Sequence, residues 1–385
     1  MRVSSFKIVI FIFACCHTGT ADLMLGQRCR LKDNSLGICL KINDCKPVMD
    51  IVRAGQVRSN PPTVCSQTDR TVCCPVSVST TTSTTTTTTT TTERPLRISQ
   101  KKCREYAKAV VQKVLVQSLL ISEQQNEVTI DKCKHKSVPL IVGGTEADYY
   151  EFPHQALLGY NEGDPGEWGC GGSLISPKFV LTAAHCLYPR SYGAVKFVKV
   201  GMHSRTQNDD EVFIYGVQEI FQHPTYNTRT FNDDIGLLRL NATVTINEFI
   251  LPICMPTRLH ENYNAIASGF GRTGFGESSS EKLLKVSLEK FNFEECQEAF
   301  GKSIRVMNDT MLCYGHHTEN KDSCSGDSGG PLQVGNDKNV PCTYTQIGVV
   351  SFGLKKCGTI GKPGVYANVF HYLDWIEGIV WKDDV

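Results

Sequence analysis

The chain has 385 residues, with 40 Lys and Arg against 39 Asp and Glu, a net charge of +1, and 18 cysteines. This length favours two or more domains and is long enough to bury a large core. The balanced charges are spread along the chain and form no basic stripe with interleaved aromatics, so we expect no nucleic-acid partner.

The first 21 residues have the layout of a secretory signal peptide. Lys7 precedes the apolar run Ile8–Cys16, and small residues follow up to Ala21. The run is too short to cross a bilayer, and no later apolar stretch approaches the roughly 20 residues that a membrane helix needs. We therefore expect a secreted, extracellular protein without a membrane span.

A cysteine-rich segment follows the signal peptide. Removing Cys15 and Cys16 from the 18 cysteines leaves 16, an even number that suits an oxidising compartment, and the paired spacing of a zinc site is missing. With few large apolar side chains, this segment needs disulfides to fold, but spacing alone does not choose among the possible pairings. Its cysteines are Cys29, Cys39, Cys45, Cys65, Cys73 and Cys74.

The middle of the chain changes in composition. The threonine tract Ser79–Pro95 predicts an O-glycosylated spacer, because it contains no residues that form a core. In the segment 103–127, Tyr106, Val110 and Val114 recur at helical spacing and predict a short helix.

From Ile141 onward, short β-rich runs such as "KFVKVG", "IGVVSFG" and "GVYANV" are separated by Gly, Pro, Asn and Asp. Repeated short strands with turn residues between them predict an all-β barrel or sandwich. The run Val369–Val380 predicts a closing amphipathic helix.

Three motifs carry the chemistry of this region: "LTAAHC" around His185, "NDDIGLLRL" around Asp234 and "DSCSGDSGGP" around Ser328. Taken singly, such residues are usually structural, solvated or turn-forming. Together and in this order, they resemble the chymotrypsin-like serine proteases over essentially all of Ile141–Val385. The resemblance implies two antiparallel β-barrels with the active site between them.

The resemblance also implies the catalytic roles. Ser328 would be the nucleophile, His185 the general base and then acid, and Asp234 the carboxylate that orients the imidazole. Asp233 is the weaker candidate for that carboxylate, because the motif places the acid immediately before the isoleucine. The backbone N–H groups of Gly326 and Ser328 would form the oxyanion hole.

By the same resemblance, Asp322 forms the floor of the substrate pocket, and Gly353 and Gly364 form its open walls. An acid at the floor implies a preference for Arg or Lys substrates. The alternative is an ordinary loop carboxylate in water. The motifs "DSCSGDSGGP" and "KPGVY" both fall in register with the family, which favours the pocket.

The stretch "SVPLIVGG" resembles the activation site of the family. Cleavage after Leu140 would free the ammonium of Ile141 to pair with Asp327, so the uncut chain would be a zymogen. A pocket built for a cation should cut poorly after leucine. We therefore expect an upstream activating protease with apolar specificity.

The N-terminal cysteines, placed ahead of a protease, resemble the clip domain of arthropod clip-domain serine proteases. The resemblance implies the pairs Cys29–Cys73, Cys39–Cys65 and Cys45–Cys74. Leu140 fits best the subgroup that includes Snake, Persephone and Spirit, which act within extracellular cascades of immunity and embryonic patterning.

Family pairs within the protease imply Cys170–Cys186, Cys296–Cys313 and Cys324–Cys357. Cys254 matches the family position that receives a linker cysteine, which predicts a Cys133–Cys254 tether between the clip chain and the protease. Cys103 and Cys342 are left over, and parity alone suggests a second tether between them.

The remaining site predictions concern glycans and metals. The sequons "NAT" at Asn241 and "NDT" at Asn308 are glycosylation acceptors in a secreted chain. Met202 and Val212 occupy positions where some relatives have calcium-binding carboxylates, so no metal and no cofactor are expected.

These observations predict a signal peptide (1–21), a clip domain (29–74), a linker and activation segment (75–140) and a protease domain (141–385). The predicted function is a secreted zymogen serine endopeptidase that cuts a downstream protease zymogen after Arg or Lys, with a serpin as its inhibitor. The alternatives are a non-catalytic clip-domain scaffold and a digestive trypsin-like protease.

Overall fold

The computed structural model describes residues 28–31, 36–42, 45, 48, 62–66, 71–75, 96–117, 125–131, 145–160, 168–259, 264–272, 278–301, 304–318, 327–335, 340, 343–353 and 359–384. The chain divides into two compact units, Met1–Thr92 and Glu93–Val385. Some predictions fall outside the described residues. They concern the signal peptide, the whole threonine tract, Leu140, Ile141, Asp322, Gly326, Cys133, Cys324, Cys342 and Cys357.

The first unit contains one antiparallel sheet held by disulfides. Its core consists of disulfide-bonded cysteines together with Val48 and Val72, as expected for a segment with too few apolar residues to fold without disulfides. The bonded pairs are the three that the clip-domain resemblance implies, Cys29–Cys73, Cys39–Cys65 and Cys45–Cys74. The strands, in the spatial order β1-β2-β4-β3, are β1 Arg28–Arg30, β2 Leu36–Lys41, β3 Val64–Ser66 and β4 Thr71–Pro75.

The second unit contains two antiparallel barrels. Six strands close the first barrel in the order β8-β9-β10-β13-β12-β11. The strands of this barrel contribute apolar side chains to the core, among them Leu157, Leu174, Leu181 and Leu237, each at most 1% exposed. Its strands are β8 Gln155–Gly159, β9 Trp168–Ser176, β10 Phe179–Thr182, β11 Phe197–Val200, β12 Phe213–Gln222 and β13 Gly236–Leu240.

The second barrel closes through the β14–β15 pairing in the ring β14-β17-β18-β19-β16-β15. Leu288, Tyr314, Leu332 and Tyr366 are fully buried in its core. The predicted all-β double barrel of the chymotrypsin type is therefore confirmed. Its strands are β14 Asn264–Gly269, β15 Leu284–Lys290, β16 Met311–Gly315, β17 Pro331–Gly335, β18 Tyr344–Phe352 and β19 Gly364–Asn368. The short strand β7 Thr145–Glu146 pairs with the first two residues of β15.

Three α-helices lie within the described part of this unit: α1 Ile98–Ala107, α2 Phe293–Phe300 and α3 Leu373–Val380. The expected closing helix is α3, which begins four residues later than the apolar pattern suggests. Short 3₁₀ turns occupy Lys108–Val110, Ala184–Cys186 and Lys382–Asp384. None of the helices among the described residues has the length and apolar character needed to cross a membrane.

The helix expected in the segment 103–127 is only partly correct. Helix α1 ends at Ala107, and the valine-rich run that follows pairs as a hairpin of β5 Val111–Gln117 with β6 Gln125–Asp131. Valine favours a strand because its branched side chain restricts rotamers in a helix. This tendency outweighed the helical spacing of the apolar residues.

Helix α1 docks on α3 at the end of the chain. The Arg97 guanidinium donates hydrogen bonds to both Glu377 carboxylate oxygens, at 3.1 and 3.2 Å from Nε, and also pairs with Asp374. The Trp381 indole N–H donates to the Tyr106 hydroxyl at 3.2 Å. The second unit therefore extends back to Glu93, well before Ile141.

A disulfide covalently fixes this docking. Cys103, on the buried face of α1, is bonded to Cys254, next to a cluster in which Tyr106, Val110 and Leu251 pack together. The predicted Cys133–Cys254 tether is therefore wrong, and so is the Cys103–Cys342 pair suggested by parity. Because α1 docks beside Cys254, the cysteine that α1 carries is the one within bonding reach.

Candidate active site

His185 lies at the junction between a strand and a loop of the first barrel. It occupies the 3₁₀ turn Ala184–Cys186, directly after β10. The Cys170–Cys186 disulfide ties this turn to β9, and both Ala184 and Cys186 are buried. The imidazole is thus fixed on a rigid element while its side chain remains 24% exposed.

Asp234, two residues before the start of β13, is buried and accepts hydrogen bonds from His185. Its side chain is 2% exposed. The His185 ring Nδ1–H donates to Asp234 Oδ2 at 2.8 Å, and the His185 backbone N–H donates to Oδ1 at 2.9 Å. A carboxylate can only accept, so this contact places the ring proton on Nδ1 and leaves Nε2 with a free lone pair, as a general base requires.

Ser351 completes the surroundings of this carboxylate. Its hydroxyl donates a short hydrogen bond to Asp234 Oδ2 from β18 of the second barrel. The sequence motifs do not point to Ser351. The available signal was a buried serine within the apolar strand run "VVSFG", because a buried hydroxyl needs a partner.

Ser328 sits in a tight turn on the second barrel. The Gly330 N–H donates to the Asp327 carbonyl at 2.8 Å, which closes a four-residue turn with Ser328 and Gly329 at its centre. Gly329 has φ +80°, and a Cβ there would lie 2.2 Å from Thr182 Oγ1. Only glycine fits this position, so the turn presents the serine at a sharp corner.

The structure brings Ser328 next to His185. The Gly171 N–H donates to the Ser328 carbonyl oxygen at 2.8 Å across the two barrels. The Cys186 sulfur lies 3.6 Å from His185 Nε2 and 3.5 Å from that carbonyl oxygen. Within the described residues, no hydrogen bond joins Ser328 Oγ to His185 Nε2. Such bonds are often long before substrate binds.

Asp327 occupies a cleft lined by glycine. Its Oδ1 accepts from the Gly271 N–H at 2.8 Å. A Cβ on Gly269 would lie 2.1 Å from Oδ1, and one on Gly271 would lie 2.4 Å from Oδ2. The two glycines therefore leave the space that this carboxylate fills.

Two expected wall residues of the substrate pocket lie together. Gly353 follows β18 and Gly364 begins β19, and a Cβ on Gly353 would lie 3.9 Å from the Gly364 Cα. Neither residue carries a side chain that could narrow the space between them. Asp322, the expected floor, lies outside the described residues.

The other predicted site residues are placed as follows. Cys296 of α2 is bonded to Cys313 of β16, as the family pairing implies. Both sequon asparagines, Asn241 and Asn308, are exposed, and Asn241 Oδ1 accepts from the Gly216 N–H at 3.1 Å.

Comparison with known proteins identifies the family. The model of the Trypsin family matches residues 141–376. Serine protease snk of Drosophila melanogaster is 32% identical over 378 residues, which cover 93% of this chain and 79% of that protein. The chain belongs to the arthropod clip-domain serine proteases.

Two further relatives support this assignment. CLIP domain-containing serine protease B4 of Anopheles gambiae is 36% identical over 63% of this chain and 70% of its own length. Melanization protease 1 of Drosophila melanogaster is 38% identical over 62% of this chain and 65% of its own length. This clip-domain protease is accordingly a serine endopeptidase, a hydrolase of peptide bonds.

Proposed function

We propose that the protein is a secreted zymogen whose active form uses Ser328, His185 and Asp234 to cut peptide bonds after Arg or Lys. The observation that carries the proposal is the buried Asp234–His185 pair facing the Ser328 turn across the two barrels. Membership of the family does not by itself distinguish an active enzyme from an inactive relative.

In this mechanism, His185 Nε2 removes the Ser328 hydroxyl proton as Oγ attacks the substrate carbonyl carbon. Asp234 stabilises the resulting imidazolium through the Nδ1–H bond and is not itself protonated. The N–H groups of Gly326 and Ser328 stabilise the tetrahedral oxyanion. His185 then donates its proton to the leaving amine, and water releases the acyl group by the same steps.

Cleavage after Leu140 creates the active form in this proposal. The new ammonium of Ile141 would enter the cleft lined by Gly269 and Gly271 and pair with the Asp327 carboxylate. Asp327 directly precedes Ser328, so its position bears on the oxyanion hole. An upstream protease with apolar specificity performs the cut, because Asp322 disfavours leucine.

The module order and the relatives support a role within an extracellular cascade. The name of Melanization protease 1 places that relative in melanization. For this chain we propose an immune or developmental cascade, in which it cuts a downstream protease zymogen and is stopped by a serpin. The alternative of a non-catalytic scaffold would not preserve the three catalytic residues, and that of a digestive protease would not explain the clip module.

The test uses the full-length zymogen cut at Leu140 and verified by N-terminal sequencing. We expect hydrolysis of Arg and Lys amides and little of Leu or Phe amides. Asp322→Ser should lower kcat/KM on the basic substrates by orders of magnitude, because their cation would enter without a partner. Ser328→Ala should abolish turnover. A preference of the wild type for Leu or Phe would refute the assigned specificity.

A further inference from the structure

The acidic residue beside the catalytic carboxylate has an unusual backbone conformation. Asp233 has φ 55°, in the left-handed region that residues other than glycine rarely adopt. The Ile235 N–H donates to the Asp233 carbonyl at 2.8 Å, so Asp234 is the central residue of a three-residue turn. The direction of the Asp234 side chain therefore depends on the conformation of Asp233.

Two hydroxyl groups hold the Asp233 side chain. The Tyr372 hydroxyl donates to Oδ1 at 2.9 Å, and the Thr225 hydroxyl donates to Oδ2 at 2.7 Å. Tyr372 is 3% exposed and directly precedes α3. Both oxygens of a partly buried carboxylate are thus occupied by partners on separate segments of the chain.

His223 belongs to the same hydrogen-bond network, because its ring contacts the Thr225 hydroxyl. Thr225 uses its only hydroxyl proton on Asp233, so its oxygen accepts the proton of His223 Nδ1 at 2.9 Å. The His223 ring packs edge-on against Tyr372 and Trp375, with centroids 5.1 and 5.0 Å away. Burial lowers the pKa of His223, which keeps the ring neutral near neutral pH.

His223 also holds the far side of the turn. Its backbone N–H donates to the Ile235 carbonyl at 3.2 Å. Asp233 and Ile235, which flank Asp234, are therefore both hydrogen-bonded to the network of Tyr372, Thr225 and His223. In this arrangement the hydroxyls do not touch the reacting atoms, and any effect on the reaction must pass through the position of Asp234.

We propose that Asp233, held by Tyr372 and Thr225, is a positioning residue that fixes the turn aiming Asp234 at His185. The sequence "NDD" thus contains two acids with separate tasks. Asp234 orients the imidazole, and Asp233 orients Asp234. This inference rests on the proposed function, because a positioning effect can be measured only in an active protease.

The expected effect falls on kcat. Asp233→Ala should lower kcat per active site by about 10- to 100-fold and leave KM within about threefold, since a small displacement of a catalytic group slows chemistry more than binding. Asp233→Asn should recover most of the loss, because asparagine tolerates the left-handed conformation and can hydrogen-bond both hydroxyls. Tyr372→Phe should lower kcat in the same direction.

The experiment uses full-length zymogen variants cut at Leu140, with the sites counted by a fluorophosphonate that labels the active serine. Counting separates slow sites from unfolded protein. The matched control is Tyr215→Phe, which removes a tyrosine hydroxyl bonded to the Thr245 backbone elsewhere on the first barrel. It should leave kcat unchanged.

The outcomes are distinct. Wild type without labelling or turnover would defeat the proposed function itself. Active wild type together with an Asp233→Ala variant of normal kcat per labelled site would overturn the positioning role. So would an Asp233→Asn variant as slow as Asp233→Ala, because the negative charge and not the hydrogen-bonded turn would then matter.

Discussion

At the scale of single residues, three glycines shape the site around Asp327 and Ser328. Gly269 and Gly271 leave room for the Asp327 carboxylate, and Gly329 forms the corner that presents Ser328. At each of these glycines, an added Cβ would lie too close to a neighbouring atom. Substitutions there should therefore act through the site as well as through stability.

Gly269→Ala tests this interpretation. The added Cβ would meet Asp327 Oδ1 at 2.1 Å, so the carboxylate must leave its bond with Gly271 N. We expect more than tenfold lower kcat/KM and a loss of about 1–3 kcal/mol in the free energy of unfolding. Gly335→Ala is the control, because nothing lies within 4 Å of its added Cβ. Equal activity of the two variants would contradict the expectation.

His223 should make stability depend on pH. Burial lowers its pKa, while Asp233 raises it and His371 lowers it to smaller extents. The folded state therefore binds this proton less readily than the unfolded chain, whose histidine titrates near pH 6.5. The associated stability is complete above that pH and is lost as the pH falls through it, with a slope of at most about 1.4 kcal/mol per pH unit.

Urea unfolding between pH 7.5 and 5.5, in the Ser328→Ala background to prevent autolysis, measures this slope. His223→Gln should unfold with a smaller acid-side loss of stability than its parent, because the glutamine cannot take up the proton. An identical pH dependence in the parent and in His223→Gln would show that the pKa of His223 does not change on folding, contrary to the expectation.

The motifs predict His185, Asp234 and Ser328 as the catalytic residues, because each lies in a short pattern that can be recognised in the local sequence. The contact of Ser351 could not be predicted, since it arises only when β18 of the second barrel meets the turn that carries Asp234 in the first. No local pattern records that meeting. The proposed positioning role of Asp233 could not be predicted for a related reason: its backbone angle and its tyrosine partner 139 residues away exist only in the folded chain.

At the scale of elements, α1 behaves as part of the catalytic unit and not as a linker. It is joined to α3 by the Arg97 ion pairs, by the Tyr106–Trp381 hydrogen bond and by the Cys103–Cys254 disulfide. The apolar spacing suggested a helix in this region, which is correct only as far as Ala107. Its partners could not be predicted, because ion pairs across about 280 residues of sequence leave no local trace.

The disulfide predicts how the cut protein behaves on a gel. After cleavage at Leu140, the chain should run as one band without reductant and as two bands with it. A non-reduced peptide map should contain a fragment joining Cys103 to Cys254. A fragment joining Cys133 to Cys254, or two bands in both lanes, would contradict the structure.

At the scale of the whole molecule, the residue before the proposed cut should decide which enzyme can start activation. Leu140→Arg should let trypsin-like enzymes, including this one, cut the zymogen, because Asp322 could pair with the new cation. Wild-type zymogen should stay inert when incubated alone at high concentration.

A time course of both purified proteins without activator measures this, with Leu140→Arg/Ser328→Ala as the control for contaminating protease. Maturation of the wild type as fast as that of the arginine variant, and only when Ser328 is present, would show that leucine does not restrain self-activation.

The docking of α1 also determines which recombinant fragment of this protein should be soluble. A recombinant chain that starts at Ile141 would lack α1, so Cys254 would carry a free thiol, and Leu251 and Trp381 would face water. Such a chain should cross-link and precipitate during purification. Soluble enzyme should instead come from secreting the whole precursor and trimming it afterwards.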